Sequence, residues 1–419
     1  MRVRQWLPLL LGSWLLLTAD VPVYPQAELA RALSQLPPLV GQPVQHQRKG
    51  SESIYRIARR YGVSANAIHN ANRGLLSAGN EMLLVPAQHI APLPYAEGVV
   101  VNLAERNLYF YRGGRPVKVF PLAIGMRGWE TPTGDFRIAN KRKNPTWFPP
   151  KWAKEEKPVP PGPGNPLGDR WMGLSLPGYG LHATNSPSSI GRYASHGCMR
   201  MYPEHARDLY ELVTIGTPVR IVYQLFSVGY APEDGIVYLA HYPDPYQLGD
   251  ATTAAVLEQL AAYGLAEAAD TITITEALAG PMGVPVPVVG SEVKVTVGGR
   301  TVRFALNPTA SGRDWLVPAG PLSEAMGAHL EIGPGGSYVA IARGGQHLLL
   351  TPGNQEALVN GQLRTLETPM RLAAGYPIVP VKEIATALGA SVGWDEESNT
   401  ILIWDGVGVQ LPLARVDAH

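Results

Sequence analysis

His182-Ala183-Thr184-Asn185-Ser186-Pro187-Ser188-Ser189-Ile190-Gly191, continued after three residues by Ser195-His196-Gly197-Cys198-Met199-Arg200-Met201, contains the single cysteine of a 419-residue chain. A cysteine enzyme needs a thiolate, a histidine to take or give the proton, a third group to hold the imidazole, and N–H donors for an oxyanion. Gly197 permits a tight backbone before Cys198, which leaves the N–H groups of Gly197 and Cys198 free to face a developing oxyanion. Two histidines compete for the role of base. His182 ends the segment Gly178-Tyr179-Gly180-Leu181, and His196 stands two residues before the thiol, where a strand would put both side chains on one face. Either is placed to lower the thiol pKa.

Working outward, Arg2 and Arg4 precede an apolar run from Trp6 to Leu17, then Thr18, Ala19 and turn-rich sequence with Pro22 and Pro25. This reads as a secretory signal over residues 1–19. The run is shorter than the ~20 residues needed to cross a bilayer, and no later run is long enough, so no membrane span is expected in the mature chain. Exported chains normally pair their cysteines, so a lone thiol there points to a reactive group. A formal net charge of +1 and the lack of a long Lys/Arg block exclude nucleic acid as a partner. With no His/Cys/Asp cluster at metal-ligand spacing, neither a metal nor an organic cofactor is expected.

The length suggests about three domains, and 45 Gly with 39 Pro favours short strands and turns over long helices. From His46 to Pro86 a βααβ unit is legible. Ser51 and Ser64 are placed as N-caps, Gly62 as a left-handed helix end, and Met82-Leu83-Leu84-Val85 as the closing strand. This unit, with Lys49-Gly50-Ser51-Glu52-Ser53-Ile54-Tyr55-Arg56-Ile57-Ala58 and Gly79-Asn80-Glu81-Met82-Leu83-Leu84-Val85-Pro86, resembles a LysM domain. That resemblance implies binding to N-acetylglucosamine-containing glycan. After a linker at Ala87–Glu97, Val99–Leu103, Leu108–Tyr111 and Val117–Leu122 read as a strand meander. Between Asn140 and Asp169 lie eight prolines with Trp147, Trp152, Lys154, Glu155 and Glu156, the signature of a lid or substrate loop. A helix at Glu204–Val213 and a closing strand at Val219–Tyr223 complete this region.

Thr131-Pro132-Thr133-Gly134-Asp135-Phe136, together with the two segments quoted at the outset, makes residues 99–223 resemble the L,D-transpeptidase (YkuD-type) catalytic domain. The resemblance implies Cys198 as nucleophile, His182 as base and the Ala183 main-chain oxygen as the group orienting the imidazole. It further implies supporting roles for His196 and Gly197 and substrate binding by Arg200, Thr184 and Asn185. The implied substrates are peptidoglycan stem peptides and glycan strands at the cell wall. The reaction would be formation of 3→3 cross-links through a Cys thioester. An L,D-carboxypeptidase, another wall-peptide cysteine hydrolase, and a noncatalytic peptidoglycan-binding protein are the alternatives.

Residues 225–290, with a strand at Ile236–Leu239 and a helix at Ala251–Tyr263, read as a connecting segment. Farther on, Val297-Gly298-Gly299-Arg300 matches Val359-Asn360-Gly361-Gln362, Leu316-Val317-Pro318 matches Ile378-Val379-Pro380, and Gly327-Ala328 matches Gly389-Ala390, all offset by the same 62 residues. A constant offset implies a duplicated unit. Each half resembles the copper amine oxidase N-terminal-like domain, for which a noncatalytic scaffolding role is expected. The expected fold class is thus multi-domain and mainly β. It comprises a LysM module at 42–88, a β-sandwich-like catalytic domain at 96–224, the connecting segment, and a duplicated α+β module at 291–405.

Overall fold

The structure is a computed structural model that describes residues 26–72, 81–150 and 157–405. The expected secretory signal at 1–19, Gly79 and Asn80 of the βααβ unit, and Trp152, Lys154, Glu155 and Glu156 of the long loop lie outside the described residues. Two compact units divide the chain, one made of Arg31–Glu292 with Leu306–Ala310, the other built on Val293–Ala305 and the residues from Ser311 onward.

After a short helix α1 (Gln26–Leu33) and strand β1 (Leu39–Val40), the first unit forms β2 (Val44–Gln47), α2 (Ile54–Tyr61), α3 (Ala65–Ala71) and β3 (Met82–Val85). β2 and β3 pair antiparallel, giving the βααβ order read from the sequence. Ile57, Ala58, Val63, Ile68, Leu83 and Val85 close a small core between helices and strands. The cap of α2 differs from expectation. Ser53, not Ser51, accepts from the Arg56 N–H, because Glu52 N–H is turned back onto the Lys49 carbonyl and the helix begins only at Ile54. Ser64 caps α3, and Gly62 ends α2 at φ +68.

The next region is built from β4 (His89–Ile90), β5 (Gly98–Asn102), β6 (Asn107–Arg112), β7 (Arg115–Gly125), β8 (Gly134–Lys143), β9 (Arg170–Leu174), β10 (Gly180–His182), β11 (Tyr193–Ser195), β12 (Met199–Met201), helix α4 (Pro203–Leu212) and β13 (Pro218–Val222). One sheet runs β8-β13-β5-β6-β7 and a second runs β8-β9-β10-β12-β7, so the long strands β7 and β8 belong to both. The result is a sandwich whose two edges are shared strands, which leaves few unpaired backbone groups. Alternation along β5 and β6 sends Val99, Val101, Leu108 and Phe110 into the sandwich core. Val100, Tyr109 and Tyr111 face outward, where the expected linker covers them: Ala91, Leu93 and Tyr95 pack there, and Tyr111 donates to the Leu93 carbonyl at 2.7 Å.

Residues 225–290 are not a simple connection. They form β14 (Phe226–Ala231), β15 (Ile236–His241), α5 (Thr253–Ala262), α6 (Thr271–Ala279) and β16 (Val286–Val289), with β15 central in a three-stranded antiparallel sheet. The Ala- and Thr-rich sequence hid α6, whose N-cap is Asp270.

In the second unit, β17 (Lys294–Val297), β18 (Arg300–Val302), β19 (Thr309–Ser311), β20 (Asp314–Pro318), α7 (Ala319–Ala325), β21 (His329–Ile332) and β22 (Val339–Arg343) are followed by an intervening β23 (Gln346–Leu350). Then come β24 (Glu356–Val359), β25 (Gln362–Thr365), β26 (Arg371–Ala373), β27 (Tyr376–Pro380), α8 (Val381–Ala387), β28 (Ala390–Asp395) and β29 (Thr400–Asp405). β20 and β27 pair antiparallel with Leu316 opposite Pro380, Val317 opposite Val379 and Pro318 opposite Ile378. Val317 and Val379, 62 residues apart, therefore face each other directly, and the flanking equivalents cross over them (Leu316 to Pro380, Pro318 to Ile378), the pattern of a local two-fold axis at Val317/Val379. The outer sheets mix the halves, as β17 pairs with β29 in one and β22 is joined to β24 through β23 in the other.

Candidate active site

The turn from β11 to β12 carries the thiol. Ser195 Oγ accepts from the Gly197 N–H at 3.2 Å and donates to the Cys198 carbonyl at 2.5 Å, so one hydroxyl closes the turn from both ends. Gly197 sits at φ +104, and a Cβ there would lie 2.6 Å from Tyr179 Cε1, so backbone conformation and space both demand glycine. Two expectations change as a result. The Gly197 N–H is engaged by Ser195 rather than free for an oxyanion. And the positive φ breaks strand alternation, so His196 does not share a strand face with Cys198; it is exposed, with its ring edge-on to Trp129 at 4.9 Å.

β10 and β12 run parallel, with Leu181 beside Met199 and His182 beside Arg200. Leu181 and Met199 are fully buried in the sandwich core, which puts His182 and Arg200 together on the opposite face. Continuing the register back by one residue sets Cys198 alongside Gly180. The thiol donates to the Gly178 carbonyl at 3.3 Å. On the other side of β10, Trp171 of β9 is the partner of His182, its indole 5.9 Å from the imidazole and its Nε1–H donating to Asn140 Oδ1 at 2.9 Å. A Cβ at Gly180 would meet Trp171 Cη2 at 2.7 Å, so only glycine leaves room there for the indole.

His182 is buried and its Nδ1 lies 2.5 Å from the Ala183 carbonyl. A carbonyl only accepts, so Nδ1 carries the proton and Nε2 keeps a free lone pair. Burial depresses the imidazole to about 4, with the Arg200 charge adding to the effect and the Ala183 carbonyl opposing it. Burial also pushes the Cys198 thiol above its ordinary range, against a hydrogen bond from the Gly180 backbone and the nearby Arg200 charge. At neutral pH the pair therefore rests as thiol and neutral imidazole. Arg200 is half-buried, and no carboxylate among the described residues pairs with it. Ala183 has an ordinary negative φ, so its methyl carries no backbone strain.

Thr184 and Asn185, expected to bind substrate, each make a hydrogen bond within the protein. Thr184 is buried and its hydroxyl accepts from the Ser186 N–H at 3.0 Å, while the Asn185 amide donates to the Gly164 carbonyl at 3.0 Å. The second bond fastens the long loop next to the histidine. Gly168, at the end of that loop, packs so closely that a Cβ would come within 2.6 Å of the Ala183 methyl. Farther along, Asn165 is fully buried and donates to the carbonyls of Pro145, Val159 and Pro160 while accepting from Leu167 N–H. Sequence reading passed over Asn165, Trp171 and Thr131. Thr131 donates to the Gly197 carbonyl at 2.9 Å and accepts from the Gly125 N–H at 3.0 Å. Its place at the head of the quoted Thr131–Phe136 motif was the available signal.

A thiol, a neutral imidazole oriented by a main-chain carbonyl and an unpaired guanidinium, set on one rim of a β-sandwich, make up the equipment of cysteine acyl transfer. Residues 96–221 match the L,D-transpeptidase catalytic domain model, and residues 296–403 match that of the copper amine oxidase N-terminal domain. The chain is 34% identical over 215 residues to the protein named "Probable L,D-transpeptidase YcfS" of Escherichia coli K12, covering 47% of this chain and 67% of that one. It is 34% identical over 228 residues to "Probable L,D-transpeptidase ErfK/SrfK" of Salmonella typhimurium LT2, covering 50% and 74%. With the YkuD protein of Bacillus licheniformis it shares 36% over 183 residues, covering 42% and 97%. Among solved structures, the NMR structure of the catalytic domain from E. faecium L,D-transpeptidase matches at 24% identity and a TM-score of 0.26, covering 30% of this chain and 98% of that one. The chain belongs to the L,D-transpeptidase family.

Proposed function

We propose that the chain is a peptidoglycan L,D-transpeptidase in which Cys198 is the nucleophile and His182 the base. The observation that carries this reading is the β10–β12 register, which sets His182 beside Arg200 and Gly180 beside the thiol. Cys198 Sγ attacks the carbonyl between the diamino acid at the third position of a tetrapeptide stem and its terminal D-Ala, and the thiol proton passes to His182 Nε2. The C–N bond then breaks, His182 returns the proton to the departing D-Ala amine, and a thioester remains. The side-chain amine of a second stem attacks that thioester, loses its proton through His182, and releases the thiol with a 3→3 cross-link formed. Splitting the exchange into two displacements lowers each barrier.

Ala183 fixes the imidazole tautomer, Arg200 receives a substrate carboxylate, and the N–H of Cys198 faces the oxyanion. His196 supports the mouth of the site. The βααβ unit at 42–88 is read as a LysM-type glycan-binding module and the duplicated module at 291–405 as a scaffold, in a chain exported by the segment at 1–19 to the cell wall. No helix among the described residues is long and apolar enough to cross a membrane.

Incubation with disaccharide tetrapeptide, followed by mass spectrometry, tests the reading. Dimers lacking one D-Ala are expected, and Cys198→Ala should yield none. Tripeptides alone would make the enzyme a carboxypeptidase, and products cut elsewhere would overturn the assignment.

A further inference from the structure

The network behind Gly197 ends on a tyrosine that lies outside the residues matched by the catalytic-domain model. Tyr246 belongs to the region read from sequence as a connection. Its ring is buried in the sandwich core and stacks on Tyr223 at 5.4 Å. Its hydroxyl accepts from the Thr131 N–H at 3.1 Å and donates to the Gly125 carbonyl at 2.9 Å. Gly125 in turn donates to Thr131 Oγ, and that hydroxyl donates to the Gly197 carbonyl. Three hydrogen bonds thus tie the two ends of the 125–131 turn to each other and to Tyr246. The turn packs closely on itself: a Cβ at Gly125 would lie 2.1 Å from the Trp129 carbonyl oxygen.

What this network holds is the Gly197–Cys198 peptide. That peptide is planar and trans, so fixing its carbonyl on Thr131 Oγ fixes the direction of its N–H on the opposite side. The N–H belongs to Cys198. The Gly197 N–H is already taken by Ser195 Oγ, which leaves the Cys198 N–H as the turn's donor for an oxyanion at the attacked carbonyl.

We propose that Tyr246 is a positioning residue for acyl transfer: through Thr131 it sets the orientation of the Gly197–Cys198 peptide and hence of the oxyanion donor. The segment after the sandwich therefore completes the active site. The inference rests on Cys198 being the nucleophile.

The separating experiment uses the full chain and two reactions at the same sulfur. D-Ala release from a tetrapeptide stem passes through an oxyanion, whereas alkylation by iodoacetamide displaces iodide and forms none. Tyr246→Phe keeps the stacked ring and removes only the hydroxyl. It should lower kcat for D-Ala release about 10-fold, below the 10²–10³-fold typical for outright loss of one oxyanion donor. KM and the alkylation rate of Cys198 should stay within about twofold. Thr131→Val, which cuts the next link, should give the same split. Unchanged kcat in both variants would overturn the proposal, and so would a fall in alkylation parallel to the fall in kcat, which would mean that the hydroxyl acts on the thiol or the fold. Persistent D-Ala release by Cys198→Ala would instead overturn the nucleophile assignment itself.

Discussion

His182 and Cys198 are held in their uncharged forms by the same cause, burial, and both carry measurable consequences. For His182 the folded value of about 4 lies below the ordinary 6.5, so the unfolded chain takes up a proton in that interval that the native fold refuses. Its contribution is full above pH 6.5 and is lost as pH falls toward 4, by roughly 3 kcal/mol. In denaturant titrations at pH 7 and pH 4.5, His182→Gln should lose less stability on acidification than the native chain; equal losses would contradict a buried neutral imidazole. The thiol moves the other way. Because burial raises it, the rate of Cys198 alkylation should climb into the alkaline range without a plateau near neutrality, and a flat profile from pH 6 to 8 would indicate a preformed thiolate. Cys198 was legible in the sequence as the lone thiol, and His182 through the family resemblance. Their ionisation was not, because burial is set by residues that meet only on folding: the His182 ring lies against Trp171, and Gly168 of the long loop packs on the neighbouring Ala183.

At the scale of elements, two short segments decide the site. The turn at 195–198 works because Gly197 adopts φ +104 against Tyr179, and Gly197→Ala should cost about 100-fold or more in D-Ala release while the protein still folds, as judged by circular dichroism. Here the sequence misled: two residues apart suggested a common face for His196 and Cys198, and the same glycine that allows the turn cancels that alternation. The long loop is the second segment. Its composition marked it as irregular, yet its described parts are pinned by Asn165, whose amide serves three carbonyls and one N–H. Asn165→Ala leaves buried groups unpaired at about 1–3 kcal/mol each. The expected outcome is rapid limited proteolysis within 157–168 and slower D-Ala release; a loop as resistant as the native one would show that the amide is dispensable.

Across the whole chain, pairing of modules adds what no segment supplies. The βααβ module is fastened to the sandwich by the Arg59–Glu204 pair at 2.6 Å, by Asn66 donating to the Gly191 carbonyl, and by Tyr55 set edge-on to Tyr202. The ion pair is exposed and contributes at most about 1 kcal/mol, so the apolar contact of Tyr55 with Ala123, Ile190 and Tyr202 carries more of the attachment. In the second unit, Val317 and Val379 are both fully buried and face each other on the local axis. Val317→Ala and Val379→Ala should destabilise by similar amounts, ~1–3 kcal/mol each, with a nonadditive double variant, measured by denaturant unfolding. Widely different costs would mean that the two positions are not equivalent. Local chemistry and periodicity in the chain were enough to determine the β-rich modules, the 62-residue recurrence and Cys198 as the candidate nucleophile, because those signals lie in neighbouring residues or in repeats, whereas the choice of His182 over His196 came from the family resemblance. The protonation of Cys198 and His182, the loss of the Gly197 N–H to Ser195, and the entry of Tyr246 into the site depended on folding, because each arises from burial or a hydrogen bond between residues that meet only in three dimensions.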